Sequence, residues 1–76
     1  MQKLNENEIK AMNAILETCD YIDGEYFNRL GDAILALCEV FGNGTDAGAY
    51  LMALVNKGAL EMDEDAYGIG LWVKVD

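Results

Sequence analysis

The chain has 76 residues and a formal net charge of −9 at pH 7, with fourteen acidic and five basic side chains. A chain of this length forms one domain, 1–76, because a domain this small buries only about 60% of the surface that its unfolded form exposes. The apolar fraction of 53% excludes a disordered chain, and the negative charge opposes direct nucleic-acid binding. The same charge favours a protein partner with a basic surface.

The N-terminal residues 1–8 contain no apolar run of the kind that secretory signals carry. The longest uncharged apolar run, 47–56, has about half the length that spans a bilayer. We therefore expect a cytoplasmic, intracellular protein that makes no membrane contact. Its two cysteines are then expected to stay reduced, because structural disulfides form mainly in exported proteins.

The first predicted helix spans about residues 6–20. Asn5 and Glu8 have the spacing of a capping box, in which each side chain accepts a hydrogen bond from the backbone of the other residue. The following apolar residues recur at helical spacing and are expected to face the core: Ile9, Met12, Ile15, Leu16 and Cys19. Asp23 and Gly24 then break the pattern.

The second predicted helix spans about residues 25–41. Its expected inward residues are Phe27, Leu30, Ile34, Leu37 and Phe41. Glu25 and Arg29 stand four residues apart in the favourable order for an ion pair on a helix, whereas Gly31 weakens the helix interior. The sequence Gly-Asn-Gly at 42–44 ends this helix.

The third predicted helix spans about residues 46–57. Thr45 or Asp46 is its expected cap, and Gly58 is its expected left-handed residue just past the end. The expected inward residues are Ala47, Leu51, Leu54 and Val55. The pattern predicts that the helix closes at Lys57.

A β-hairpin is predicted over about residues 59–75, where the apolar period changes from 3.6 to 2. Its expected inward residues are Leu60, Met62, Tyr67, Ile69, Leu71, Val73 and Val75. The acids Asp63, Glu64 and Asp65 form its tip. The tip resembles the start of a calcium-binding loop, but Lys74 stands where such a loop needs a bidentate glutamate.

Three helices followed by a C-terminal β-hairpin define an α+β fold. The junction that contains Leu54, Val55, Gly58 and Leu60 resembles the step from the third helix into the first wing strand of the winged helix-turn-helix fold. This resemblance covers about two-thirds of the chain and implies a winged-helix-like architecture. It implies no single activity, because function depends on the sites that a fold carries.

The residue types present argue against catalysis. The chain has no histidine and no serine, which excludes the usual hydrolytic triads. Cys19 and Cys38 have no neighbouring base or cation to activate them, and their spacing is not that of a zinc site. We expect a protein that is not an enzyme and that binds no cofactor and no metal.

Two surfaces are candidates for a protein partner. The outward positions of the third helix are small and weakly polar and lack the cations that read DNA; they are Ala49, Met52, Ala53 and Asn56. The second surface is the acidic tip of the hairpin, Asp63, Glu64 and Asp65. Trp72 on the outer hairpin face is a further candidate, as an aromatic anchor. An alternative for Trp72 is packing on the first helix.

These features predict a non-catalytic protein-binding module, and more narrowly a small acidic inhibitor of a nucleic-acid-binding complex. In size and acidity the chain resembles phage-encoded anti-defence proteins, the anti-CRISPR and anti-restriction proteins, which include DNA mimics. That grouping has no shared motif and implies no site residues. The first alternative is a small winged-helix transcriptional regulator that binds DNA as a dimer through cations gathered on one face: Lys3, Lys10, Arg29, Lys57 and Lys74. The second is a homo-oligomeric structural module, for instance a homodimer, that uses the third helix as its own interface.

Overall fold

The computed structural model describes residues 3–66 and 68–74. Within these residues the chain forms three helices and one four-stranded antiparallel sheet. The elements in chain order are α1 (Glu6–Thr18), β1 (Asp20–Ile22), β2 (Glu25–Arg29), α2 (Leu30–Phe41), α3 (Gly44–Asn56), β3 (Leu60–Asp65) and β4 (Gly68–Val73). The strand order is β1-β2-β4-β3, so β1 and β3 are the edges. The predicted α+β class is confirmed, but two strands lie between α1 and α2.

The helix α1 begins with the predicted capping box. The Asn5 side chain accepts a hydrogen bond from the Glu8 backbone N–H, and the Glu8 carboxylate accepts one from the Asn5 backbone N–H, each at 2.8 Å. The helix ends at Thr18, two residues earlier than predicted, because Cys19 is extended and Asp20 begins β1.

The buried face of α1 is rotated relative to the predicted stripe. Ala11, Ala14 and Ile15 are buried, whereas Ile9, the first residue of that stripe, is 49% exposed. The other members of the stripe, Met12, Leu16 and Cys19, pack at the margin of the core. The prediction weighted large apolar side chains, but α1 packs on the core through small alanines, which allow a close approach of neighbouring elements.

The segment 20–29 departs most from the prediction. It forms a β-hairpin in which Asp20 pairs with Phe27 and Ile22 with Glu25. Both turn residues, Asp23 and Gly24, have positive φ angles of 51° and 84°. This is the geometry of a type I′ turn, for which Asp-Gly is a preferred sequence. The predicted helix over residues 25–29 is therefore wrong, and so is the predicted helical pair of Glu25 with Arg29.

The helix α2 begins at Leu30, five residues later than predicted. It ends at Phe41, as predicted. Gly31 lies in its first turn instead of its interior and does not interrupt it. Of the predicted inward residues on this helix, Leu37 is fully buried, and Leu30, Ile34 and Phe41 pack at the margin of the core. Phe27 belongs to β2.

The cap of α3 differs from the prediction, which named Thr45 or Asp46. The helix begins at Gly44, and the Asn43 side chain accepts a hydrogen bond from the backbone N–H of Asp46 at 2.7 Å. The inward residues Ala47, Leu51 and Leu54 are buried as predicted, and Val55 is partly buried.

The C-terminal end of α3 follows the prediction at Gly58, which has a φ of 82°. The Gly58 N–H donates to the Val55 carbonyl at 3.1 Å, and the Ala59 N–H donates to the Leu54 carbonyl at 2.9 Å. These two bonds form a Schellman motif, which satisfies carbonyls that the helix end leaves free. The chain then enters β3 with Leu60.

The predicted C-terminal hairpin is present as β3 and β4. Leu60 pairs with Val73, and both are buried together with Leu71 on the face that meets the helices. Met62 packs at the margin of this core. Two further residues that were predicted to face inward, Tyr67 and Val75, lie outside the described residues. β4 also pairs with β2, which the prediction did not include.

A buried asparagine links the sheet to α1. Asn28 lies on β2, and its side-chain amide donates to Thr18 Oγ1 at 2.6 Å and to the Ile15 carbonyl at 3.5 Å. The residue is only 4% exposed, so these partners replace the water that its amide would otherwise bind. The Thr18 hydroxyl in turn donates to the Ile15 carbonyl at 3.0 Å.

A buried ion pair links α1 to the end of α3. Glu8, which is 3% exposed, accepts hydrogen bonds from the Asn5 backbone and from Lys57 Nζ on the same carboxylate oxygen. Lys57 Nζ also donates to the Lys3 carbonyl at 3.5 Å. The backbone hydrogen bond from Asn5, followed by the interaction with Lys57, lowers the pKa of Glu8, and these effects outweigh the opposing effect of burial.

Replacing this carboxylate should therefore make stability less dependent on pH. A group whose pKa is lowered by folding contributes stability above its unfolded pKa, and this contribution is lost as the pH falls through the folded pKa. We expect Glu8→Gln to lower the free energy of unfolding near neutral pH, and the difference from the wild type to fade in acid. Urea unfolding at a series of pH values measures both curves.

The matched control is Glu17→Gln, which removes the same charge from an exposed position on α1. This variant should follow the wild-type curve closely, because exposed charges contribute little to stability. An equal loss of stability in the two variants would show that Glu8 acts only through the net charge.

Candidate protein-binding surface

The sheet has one face packed against the helices and an opposite face on which no described helix packs. Because side chains alternate along a strand, the residues between the buried positions of β2, β3 and β4 point to this opposite face. We call it the outer sheet face. It carries Asp20, Ile22, Glu25, Phe27, Arg29, Glu61, Asp63, Asp65, Gly70, Trp72 and Lys74.

An aromatic pair lies at the centre of the outer sheet face. Phe27 on β2 is directly opposite Trp72 on β4, and their ring centroids are 4.8 Å apart at an interplanar angle of 52°. The Phe27 ring also covers Gly70, where an added Cβ atom would lie 2.3 Å from Phe27 Cε2. Trp72 thus packs on a β2 residue, and the alternative placement on α1 is wrong.

Carboxylates border this aromatic pair. Asp63 is paired with Gly70 across the hairpin, and Asp65 is two residues further along the same strand. A depression of about 190 Å³ is lined by Ile22, Phe27, Arg29, Asp63, Asp65, Gly70 and Trp72. This volume is below the about 300–1,000 Å³ of typical small-molecule sites, so the depression suits a single side chain better than a cofactor.

The outer sheet face is negative overall. Its five carboxylates stand against two cations, Arg29 and Lys74. Lys74 Nζ lies 3.2 Å from a carboxylate oxygen of Glu61 and 3.9 Å from one of Glu25, so its charge is balanced within the face. A partner that meets this face therefore gains most from carrying positive charge.

The prediction that Asp63, Glu64 and Asp65 form the hairpin tip is wrong, because all three lie in β3 and are paired with β4, and they do not form one group. Asp63 and Asp65 lie on the outer sheet face, whereas Glu64 pairs with Ile69 and shares the opposite side of β3 with Leu60 and Met62. All three acids are exposed. The structure therefore places Trp72 with two of the three predicted acids.

The second predicted surface lies on α3, in the helical layer of the molecule. Ala49, Met52 and Asn56 are exposed and Ala53 is half-buried. Met52, at 45%, is the large apolar side chain of this group that reaches the solvent. The four residues are on one face of α3, apart from Trp72 and the hairpin acids.

The β1–β2 hairpin contributes surface residues that the sequence analysis missed. Tyr21, Ile22 and Tyr26 are 66%, 42% and 44% exposed, and the two tyrosine rings meet edge to face at 5.0 Å. Ile22 and Phe27 reach the outer sheet face only because residues 20–29 form strands. The Asp-Gly pair at 23–24, between stretches rich in aromatic and β-branched residues, was the signal for this hairpin.

The cysteines show no activated thiol. Cys19 and Cys38 are free and half-buried. Burial, and to a smaller extent the charge of Asp20, raises the pKa of the Cys19 thiol, which favours its protonated form. Among residues 3–66 and 68–74 there is no cluster of three potential metal ligands, and none of the described helices is long and apolar enough to cross a membrane.

The basic residues are distributed over several elements. Lys57 bonds with Glu8, Lys74 lies between two glutamates, and Lys10 Nζ lies over the Phe41 ring at 5.8 Å from its centroid. Arg29 borders the depression of the outer sheet face. This arrangement does not give the single basic face that a DNA-binding regulator would need.

No protein-family model, curated protein or solved structure matches this chain. Its function is therefore inferred from the chemistry of its own surface residues. The outer sheet face combines a central aromatic pair, a side-chain-sized depression and an excess of carboxylates. The face of α3 offers small side chains and no charged group among its four predicted contact residues.

The contact of Phe27 with Gly70 gives a test of the packing on this face. Gly70→Ala should push the Phe27 ring off β4 and disturb its contact with Trp72, since the added Cβ has no room. We expect a loss of about 1–2 kcal/mol in the free energy of unfolding, in the range for overpacking, and a change in Trp72 fluorescence.

The double variant Gly70→Ala with Phe27→Leu should recover part of this loss, because the smaller side chain leaves room for the new methyl group. Urea unfolding that is followed by tryptophan fluorescence measures both variants. Equal stability of Gly70→Ala and the wild type would contradict the close packing described here.

Proposed function

We propose that this protein is a non-catalytic protein-binding module whose outer sheet face contacts a partner with a basic surface. The observation that carries the proposal is the Phe27–Trp72 pair, which is bordered by Asp63 and Asp65 on a sheet face that no described helix covers. Contact sites between proteins commonly have an aromatic centre and a polar rim. The negative charge of the rim selects for a positive partner.

A narrower form of the proposal is an acidic inhibitor of a nucleic-acid-binding complex, of the phage anti-defence type. Glu61, Asp63 and Asp65 occupy alternate positions of β3 and point to the same side, so they form a line of charge about 13 Å long. A DNA strand also presents a line of negative charge, at a higher density. With a net charge of −9, the whole protein would be attracted to a basic nucleic-acid channel.

The order of α2, α3, β3 and β4 supports a winged-helix-like architecture as part of this proposal. In a winged helix that binds DNA, α3 would occupy the major groove. Its outward residues here are Ala49, Met52, Ala53 and Asn56, none of which is a cation, and Lys57 at its end is paired with Glu8. These residues favour a protein partner over the alternative function of a DNA-binding transcriptional regulator.

Duplex DNA is therefore expected not to bind at physiological salt. Counterion release by cationic side chains supplies most non-specific DNA affinity, and in this chain the acids outnumber the cations. A gel-shift assay with random and promoter fragments measures this directly. Retention of one promoter fragment at micromolar protein would favour the transcriptional regulator.

Reversing two charges of the outer sheet face should abolish binding to the partner. We expect Asp63→Lys with Asp65→Lys to lose a protein that the wild type captures from the source cell, because both changes oppose a basic surface. Exposed substitutions of this kind usually change stability by less than about 0.5 kcal/mol, so the variant should remain folded. Circular dichroism checks the fold, and mass spectrometry identifies the captured protein.

Two control variants distinguish the outer sheet face from the outward face of α3 as the site of contact. Glu6→Lys with Glu17→Lys makes the same change in net charge on exposed positions of α1 and should retain the partner. Met52→Arg alters the outward face of α3 and should also retain it. If Met52→Arg loses the partner while the β3 variant keeps it, the contact lies on α3 and the proposed surface is wrong.

A further inference from the structure

We infer that the depression on the outer sheet face receives an arginine side chain of the partner. The inference rests on the proposed function and deepens it, because it names the group that the site recognises. It follows from three features of the depression, namely its aromatic wall, its carboxylate rim and its floor at Gly70.

The wall and the floor give the depression a flat apolar side. Phe27 and Trp72 are both half-buried, so part of each ring remains open to the solvent. Gly70 contributes no side chain, and the Phe27 ring lies over it, in the row between Asp63 on β3 and Arg29 on β2. The open parts of the Phe27 and Trp72 rings give a planar group an aromatic surface to lie against.

The rim supplies a carboxylate that is available to a partner. The Asp63 side chain is exposed and makes no hydrogen bond or ion pair with any other described residue. Asp65 lines the same depression and adds a second negative charge. A guanidinium donates two parallel hydrogen bonds to one carboxylate, which is the strongest common form of such a contact.

Arginine fits this combination better than lysine does. The guanidinium is planar, stacks on aromatic rings and is weakly hydrated, whereas the ammonium of lysine is a compact and strongly hydrated point charge. A cation over an aromatic ring is attracted by the electrons of the ring face, and tryptophan is the best ring for this contact. The pairing of Trp72 with Asp63 and Asp65 therefore favours arginine.

The charges on the same face disfavour two other occupants. A second copy of this chain would bring five further carboxylates against the five already present, and nucleic acid would bring phosphates. Both approaches are repulsive. Arg29, which also borders the depression, opposes an incoming cation in part, so its removal should strengthen the contact.

The experiment uses the whole protein and two short blocked peptides that differ only in carrying arginine or lysine between glycines. Trp72 is the single tryptophan, so its fluorescence reports on the depression directly. We expect the arginine peptide to bind about threefold or more tightly than the lysine peptide, because only the guanidinium both stacks flat on the rings and donates two hydrogen bonds to one carboxylate. Amide NMR shifts should locate the binding at Gly70, Trp72 and Asp63.

Three variants complete the test. Asp63→Asn should weaken binding of the arginine peptide severalfold, Arg29→Gln should strengthen it, and Glu17→Gln on α1 should leave it unchanged. If Glu17→Gln weakens binding as much as Asp63→Asn does, the attraction is due to net charge and the inference is overturned.

The two peptides also distinguish this inference from the proposed function. If both peptides change the amide NMR shifts of the outer sheet face and bind with equal affinity, the inference that the depression selects arginine is wrong. The proposed contact with a basic partner would then still hold. If neither peptide shifts any residue of that face, the proposed surface fails together with the inference.

Discussion

The pairing of β2 with β4 is the contact on which the rest of the structure depends. It joins the segment between α1 and α2 to the C-terminal hairpin, two parts that are more than thirty residues apart in the chain. On one side of β2, Asn28 bonds to the end of α1. On the other side, Phe27 meets Trp72 and covers Gly70. One short strand thus connects the helical core to the candidate contact surface.

The charge of the protein is distributed in a way that leaves the outer sheet face negative. Lys57 is used inside the structure, where it neutralises the buried Glu8, and Lys74 is shared by two glutamates. The chain has fourteen acidic residues and only five cations, so most carboxylates are not matched by a cation of their own. These ion pairs within the protein therefore use cations that would otherwise reduce the negative electrostatic potential around the molecule.

Local signals in the sequence predicted most elements correctly. The capping box at Asn5 and Glu8, the left-handed Gly58 and the alternation in the C-terminal hairpin each depend on residues close together in the chain, and the structure confirms them. The helix predicted over 25–29 failed because the three-residue spacing of Phe27 and Leu30 matches a helical face, although Phe27 lies in β2 and Leu30 begins α2. The structure of residues 25–29 depends on the pairing of β2 with β4, which lies in a distant segment of the chain. A local sequence pattern carries no information on such a contact.

The candidate site was predicted in part for the same reason. Trp72 was predicted on the outer hairpin face, whereas Asp63 and Asp65 were predicted at the hairpin tip and lie instead in β3, on the same face as Trp72. Phe27, Ile22 and Arg29 join that face only through the long-range pairing of β2. The close packing of the Phe27 ring over Gly70 likewise depends on this pairing, and no sequence period encodes it.

The position of β3 at the edge of the sheet has a consequence for assembly. An edge strand exposes backbone groups that can pair with the edge of another molecule and so begin aggregation. Four of the six residues of β3 carry a negative charge, and they point to both sides of the strand. If two such edges paired, like charges would lie directly opposite each other, which is unfavourable. The charges of β3, a strand of the outer sheet face, therefore oppose self-association through this edge at high concentration.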